Sequence, residues 1–217
     1  WPGGKRCALA LSHDVDAQGS NAGIKLLRAE AERRAIRSTF TVVGEHLEGY
    51  ANLLDELRGA GHEIALHDVV HDNRIAFLNA NQIVARLSPL RRQLERFGIQ
   101  GFRSPSWYTS EALWTALKKL GFTYDMSVQD TWPLFDKQRN YGVRFQMPYI
   151  VDDLVILPTT IPFELPWLGG YSHRETLAFW KPKIDAIAAN GGLMLINAHP
   201  DRWSTGRPRA AEALARC

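Results

Sequence analysis

Cysteine is almost missing from this chain: there are two in 217 residues, Cys7 inside an apolar run and Cys217 at the last position. That pair indicates neither a disulfide framework nor a thiolate metal site. Also missing is any apolar stretch near the roughly 20 residues that span a bilayer. The two longest runs, Cys7 to Leu11 and Leu193 to Ile196, have the length of buried strands. No block of one charge stands out. The formal net charge is +3, and the arginines are scattered through helix-like segments without interleaved aromatics, so no nucleic-acid partner is expected. Internal repeats, low-complexity tracts and linkers are absent as well, and a single domain over residues 1–217 is expected. The chain opens at Trp1 without a methionine and stops within the helical pattern AAEALARC. That suggests a fragment or a processed form, and leaves compartment and oligomeric state open.

What is present is an alternation. Strand-like segments at 6–12, 38–44, 63–67, 101–104, 122–127 and 191–199 are separated by amphipathic helical patterns at about 24–35, 51–61, 81–97 and 110–120. Pro89 marks a start or kink in the third of these, and Ser172-His173-Arg174-Glu175 reads as a capping box opening a late helix. About seven strand candidates alternating with helices predict an α/β fold with a parallel sheet. A (β/α) barrel buries every strand, and an open doubly wound sheet is the alternative. Surface loops are expected at 136–142 and 200–209.

Unusual polar residues sit at the C-terminal ends of these strands, where parallel α/β folds bind ligands. In Ser12-His13-Asp14-Val15-Asp16, strand alternation directs both carboxylates to one face. His67 ends the third strand and His71 follows four residues later. Along the last strand Leu193, Leu195, Asn197 and His199 share a face that passes from apolar to polar. Two imidazoles and a carboxylate suit zinc with an open position, and also iron or another divalent ion. An isolated H-x-x-x-H or D-x-D is commonly surface or helix cap, so the inference rests on their occurrence together. His13 faces away from Asp14 by alternation and reads as a packed residue; His46, His62 and His173 read as structural.

In order and spacing these motifs resemble the polysaccharide deacetylases with a NodB homology domain, carbohydrate esterase family 4, over about residues 8–200. Ser12 to Asp16 stands where the family has T-F-D-D. Gly61-His62-Glu63-Ile64 followed by His67-Asp68-Val69-Val70-His71 matches G-H-E-[IL] and H-[ST]-x-x-[HS]. Arg103-Ser104-Pro105-Ser106 is similar to R-x-P-Y, and Leu195 to His199 to the final L-x-H. The resemblance implies a distorted (β/α) barrel of about seven strands and a metal-dependent hydrolase that removes N-acetyl groups from a sugar or polysaccharide. It implies Asp14 as base, Arg103 as the residue that orients it and His199 as general acid. Asp16, His67 and His71 are implied to hold a divalent metal, zinc first, with Co2+, Ni2+ or Fe2+ as alternatives.

Two departures matter. Val15 occupies the position of the family's metal-binding aspartate, and Asp16 substitutes for it in the D-x-D form of a divergent branch. Ser106 replaces the motif tyrosine, whose backbone N–H helps hold the oxyanion; Ser106 keeps that N–H, with Trp107 and Tyr108 as candidate pocket walls. Asp125 and Asp130 are both candidates for the carboxylate supporting His199, and Trp107, Trp132 and Trp167 for stacking on a sugar. Hydrolysis of another amide, a formamido sugar or small cyclic amide, is the alternative activity, and a non-catalytic carbohydrate-binding relative is the third reading.

Overall fold

The structure, a computed structural model, describes residues 1–130, 146–164, 172–201 and 204–214. The segment 136–142, Trp132, Trp167 and Cys217 lie outside these residues. The strands are β1 (Cys7–Val15), β2 (Ser38–Val42), β3 (Glu63–Leu66), β4 (Gly101–Phe102), β5 (Tyr124–Asp125), β6 (Tyr149–Val151), β7 (Leu154–Ile156), β8 (Ile161–Pro162) and β9 (Gly192–Ala198). They form one sheet in the order β6-β7-β5-β4-β3-β2-β1-β9-β8, parallel throughout except for the β6-β7 pair. The helices are α1 (Asn21–Glu32), α2 (Ala51–Gly59), α3 (Ala80–Leu87), α4 (Arg91–Phe97), α5 (Glu111–Lys119), α6 (His173–Asn190) and α7 (Pro208–Leu214).

Continuity between β7 and β8 turns this curled sheet into a distorted barrel. Leu157 donates to Asp125, Thr159 to Val128, Thr160 to Leu195 and Phe163 to Asn197. One extended segment therefore joins the β5 side of the sheet to β9. Counted around that ring, β7 and β8 act as a single staggered strand, and seven positions result. The antiparallel β6 is an addition that alternation did not reveal. Its two-residue hairpin turn, Asp152-Asp153, has both residues at positive φ, the geometry of a tight turn matching strand twist, which aspartate tolerates.

The long helix expected over 81–97 is broken: α3 ends at Leu87, a single turn covers Ser88–Leu90, and α4 follows. Pro89 lacks the N–H that an unbroken helix requires there. Ser110 caps α5 by accepting from the Leu113 N–H at 3.2 Å, and Ser172 with Glu175 forms the capping box of α6.

Alternation along β1, β2, β3 and β9 sorts the residues by layer. Phe40, Val42, Ile64 and Leu66 pack outward with Leu54 and Leu57 of α2. Ala8, Ala10, Ala65, Leu193 and Leu195 fill the inside together with Met126. Register then pairs Ala10 with Leu195 and Ser12 with Asn197. The interior face thus changes from apolar to polar as both strands run toward their C-terminal ends, and the polar end is the site.

His13 faces the outer layer. It is fully buried, its ring lies 4.8 Å from that of Phe40, and neither ring nitrogen has a hydrogen-bond partner. Burial lowers its pKa from 6.5 to about 3. In that interval the unfolded chain binds more protons than the folded one, so His13 makes stability fall as pH drops from about 6.5 toward about 3. Replacing His13 with Phe is expected to stabilise the protein by about 1–3 kcal/mol, by removing buried polar atoms that lack partners. Melting temperature against pH for both proteins checks this: the gain should widen in acid, and a destabilised variant would contradict it.

Candidate active site

β1 delivers Asp14 as a nearly inaccessible carboxylate whose oxygens are both engaged. Oδ1 accepts from Arg103 Nη1 at 2.8 Å and from the Thr41 hydroxyl; Oδ2 accepts from Asn197 Nδ2 at 2.8 Å. Asn197 cannot reverse its amide without loss. Its Oδ1 already accepts from Ser12 Oγ at 3.0 Å and from Arg103 Nη1 at 2.5 Å. Arg103 is fully buried and also reaches Thr159 Oγ1 and the Met126 carbonyl. Burial acts to raise the Asp14 carboxyl, but Arg103, then His67, His199 and the Thr41 hydroxyl, outweigh it. The group stays well below the usual carboxylate range.

Just beyond β1, Asp16 turns to the two imidazoles that follow β3. Its Oδ1 lies 3.2 Å from His67 Nε2 and its Oδ2 3.7 Å from His71 Nε2. One ligand atom from each of the three residues can be chosen so that all lie within 4.8 Å of one another. The His67 Nδ1–H donates to the Arg103 carbonyl at 2.8 Å, which directs Nε2 toward Asp16. With a neutral ring, the Nε2 lone pair and a buried carboxylate oxygen would then face each other with nothing between them. A cation resolves that conflict. Without one a proton does: burial disfavours charge on His67, but Asp14 and Asp16 raise its pKa. The two-nitrogen, one-carboxylate donor set and the buried, unbonded Asp16 Oδ1 therefore fit a divalent metal, whose binding would displace a proton.

His199, one residue past β9, completes the cleft. Nε2 lies 3.9 Å from Asp14 Oδ2 and 3.6 Å from Asp16 Oδ2. Nδ1 lies 2.5 Å from Glu164 Oε2. Burial opposes the imidazolium, yet Glu164, with Asp14 and Asp16, raises the His199 pKa to about 10. Glu164 is itself buried, and its Oε1 accepts from the His199 backbone N–H and from Thr205 Oγ1, each at 2.7 Å.

Neither aspartate expected to support His199 does so. Asp125 accepts from Trp114 Nε1 at 2.9 Å and from the Ser127 N–H and hydroxyl, and burial pushes its carboxyl up to about 6. Asp130 lies 2.9 Å from Lys183 Nζ. Asp125 ends β5 and Asp130 lies five residues beyond it, and β5 is not paired with β9, whereas Glu164 follows β8, the direct neighbour of β9. Glu164 was not singled out from the sequence. The segment Ile161 to Glu164 resembles no motif, and its relevance depends on the register that sets Pro162 beside Asn197.

The cleft encloses about 140 Å3 and is lined by Asp14, Asp16, His67, His71 and His199 with Ser104, Ser106 and Trp107. Ser106 and Trp107 are both left-handed, at φ 56° and 55°, a costly conformation for residues with side chains. Ser106 Oγ donates to Asn73 Oδ1 at 2.9 Å. Tyr108 is not part of this wall; its exposed ring packs at a tilt against that of Phe77, with centroids 5.2 Å apart.

A barrel carrying these groups at the C-terminal ends of its strands defines a class, and comparison with known proteins agrees. The polysaccharide deacetylase family model matches residues 13–124. The chain belongs to the polysaccharide deacetylase family. A protein from Mycobacterium smegmatis assigned as a polysaccharide deacetylase superimposes with a TM-score of 0.78 at 23% identity, over 100% of this chain and 84% of that one. PuuE allantoinase gives 0.75 at 17%, with the same coverages. A pseudoenzyme of carbohydrate esterase family 4 from Bacillus anthracis gives 0.65 at 14%, over 98% of this chain and 59% of that one. No curated protein matches the chain. No helix among the described residues is long and apolar enough to cross a membrane.

Proposed function

We propose that the protein is a metal-dependent hydrolase that removes N-acetyl groups from an N-acetylated sugar or polysaccharide. One observation carries the reading: in a single cleft an ionised carboxylate held by a buried arginine faces an imidazole held by a buried glutamate, beside the converging donor atoms of two histidines and Asp16. Carbohydrate binding alone requires no opposed base and acid.

Asp16, His67 and His71 would hold the metal. A divalent ion there, zinc foremost with Co2+, Ni2+ and Fe2+ as alternatives, supplies a lowered water pKa and polarisation of the amide carbonyl. Asp14 accepts the proton of the attacking water through Oδ2, which among the described residues accepts from Asn197 alone, whereas Oδ1 accepts from both Arg103 and Thr41. The Ser106 N–H is the protein's candidate donor to the tetrahedral oxyanion, with Trp107 as a cleft wall. His199 gives its Nε2 proton to the nitrogen as the C–N bond breaks. One water is consumed, and acetate and a free amine result.

The test is acetate and formate release over a panel of N-acylated sugars, with and without a chelator. Acetate formed only with metal supports the proposal; formate points to a formamido sugar. Allantoin belongs in the panel and is followed by its own disappearance, since opening a cyclic amide releases neither acid; the PuuE allantoinase likeness and Ser106 at the tyrosine position favour a small cyclic amide as second reading. No product from any substrate would leave a non-catalytic relative.

A further inference from the structure

His67 and His71 sit on one loop, and the four residues from Asp68 to His71 must bend so that both rings meet Asp16. The family motif has a serine or threonine after its first histidine; here Asp68 stands in that position. Asp68 is fully buried and left-handed, at φ 60°. A buried carboxylate requires a partner, and it finds one outside the loop. Arg86, near the C-terminal end of α3, grips it in a fork, with Nε 2.8 Å from Oδ1 and Nη2 2.9 Å from Oδ2. The same guanidinium reaches Asp72 on the far side of His71, from Nη2 to Oδ1 at 2.8 Å and from Nη1 to Oδ2 at 3.1 Å, and touches the Val70 carbonyl at 3.2 Å.

Opposite Arg86, the Gly44 N–H donates to the Asp68 carbonyl at 2.8 Å and the Glu45 N–H to the Val69 carbonyl at 2.9 Å. A Cβ on Gly44 would stand 3.1 Å from Val69 Cα and 2.5 Å from Leu90 Cδ1, so the loop lies directly against that backbone. The segment carrying both histidines is thus pinned at Asp68, Val69, Val70 and Asp72, on both sides of His71.

We infer that Arg86 is a positioning residue for the metal site: by bridging Asp68 and Asp72 it sets the spacing of His67 and His71 without touching either. The inference rests on the ligand set proposed above. Outer partners that hold ligands in place typically contribute 10–100-fold in metal affinity. A planar five-donor fork can bridge two carboxylates, whereas a lysine ammonium is a single point charge.

The test is zinc affinity by chelator competition on the wild type, Arg86→Lys, Arg86→Met and His67→Ala, with metal-free melting measured for each. Arg86→Lys keeps Asp68 neutralised and so preserves the fold. Arg86→Lys should bind zinc about tenfold more weakly and folded Arg86→Met about 100-fold more weakly, with a smaller loss in the lysine variant even where metal-free melting is equal. Zinc affinity within twofold of wild type in Arg86→Lys overturns the inference while leaving the ligand set intact. Wild-type affinity in His67→Ala, or no zinc binding by the wild type, overturns the ligand set and the inference with it.

Discussion

Asp14→Asn should lower turnover by about 10²–10⁴-fold, the range associated with removing a general base, while zinc affinity stays near that of the wild type. The substitution changes no volume and touches none of the three ligand atoms. It removes the negative charge against Arg103 and sets one amide donor against Asn197 Nδ2, whose orientation Ser12 and Arg103 maintain. Breaking a fully buried ion pair from one side costs about 3–5 kcal/mol, so a lower melting temperature should accompany the kinetic loss. Turnover and zinc affinity are measured on protein shown to be folded at the assay temperature. Turnover within a few-fold of wild type would remove Asp14 from the role of base. Loss of zinc together with turnover would place Asp14 among the ligands.

Glu164→Gln should shift the pH profile. His199 acts as an acid only while protonated, so its contribution is present below its folded pKa and declines as pH rises through about 10. The glutamine side chain of this variant can still accept from the His199 N–H and Thr205 but carries no charge. Removing an opposite charge in contact lowers the imidazole pKa by about one to three units, and the alkaline limb of kcat/KM should move down by that amount. The part of the shift owed to Asp16 vanishes once that carboxylate is neutralised by a ligand, whereas the part owed to Glu164 persists. The same pair contributes stability at low pH: a raised histidine pKa stabilises the fold fully below about 6.5 and loses that effect as pH rises toward about 10. An unchanged alkaline limb in Glu164→Gln would mean that Glu164 does not hold the acid.

Much of the barrel was legible because alternation is a local property. β1 and β9 each expose their polar residues on the face that alternation assigns, and Ser172 caps the helix it was expected to open. Pro89 announced the break between α3 and α4. The β6-β7 hairpin was harder to see, since three-residue strands leave too few positions for a period to register. Asp125, at a strand end, and Asp130, near Trp132, were candidates because the family resemblance implies an aspartate and a tryptophan behind the acid histidine. The folded chain commits Asp125 to Trp114 and Ser127, and Asp130 to Lys183.

From the sequence alone came the strand-helix order, the apolar-to-polar change along the inward faces of β1 and β9, and the residue types at the strand ends. These follow from spacings of two to four residues, which backbone geometry converts directly into a shared face or a turn. Tertiary structure decided which carboxylate stands behind His199, which amide holds Asp14 and which arginine pins the loop of His67 and His71. Each of those contacts joins residues 18 to 183 positions apart, and their meeting depends on strand register and on the closure at Leu157 to Thr160. Neither quantity is written in any short stretch of the chain.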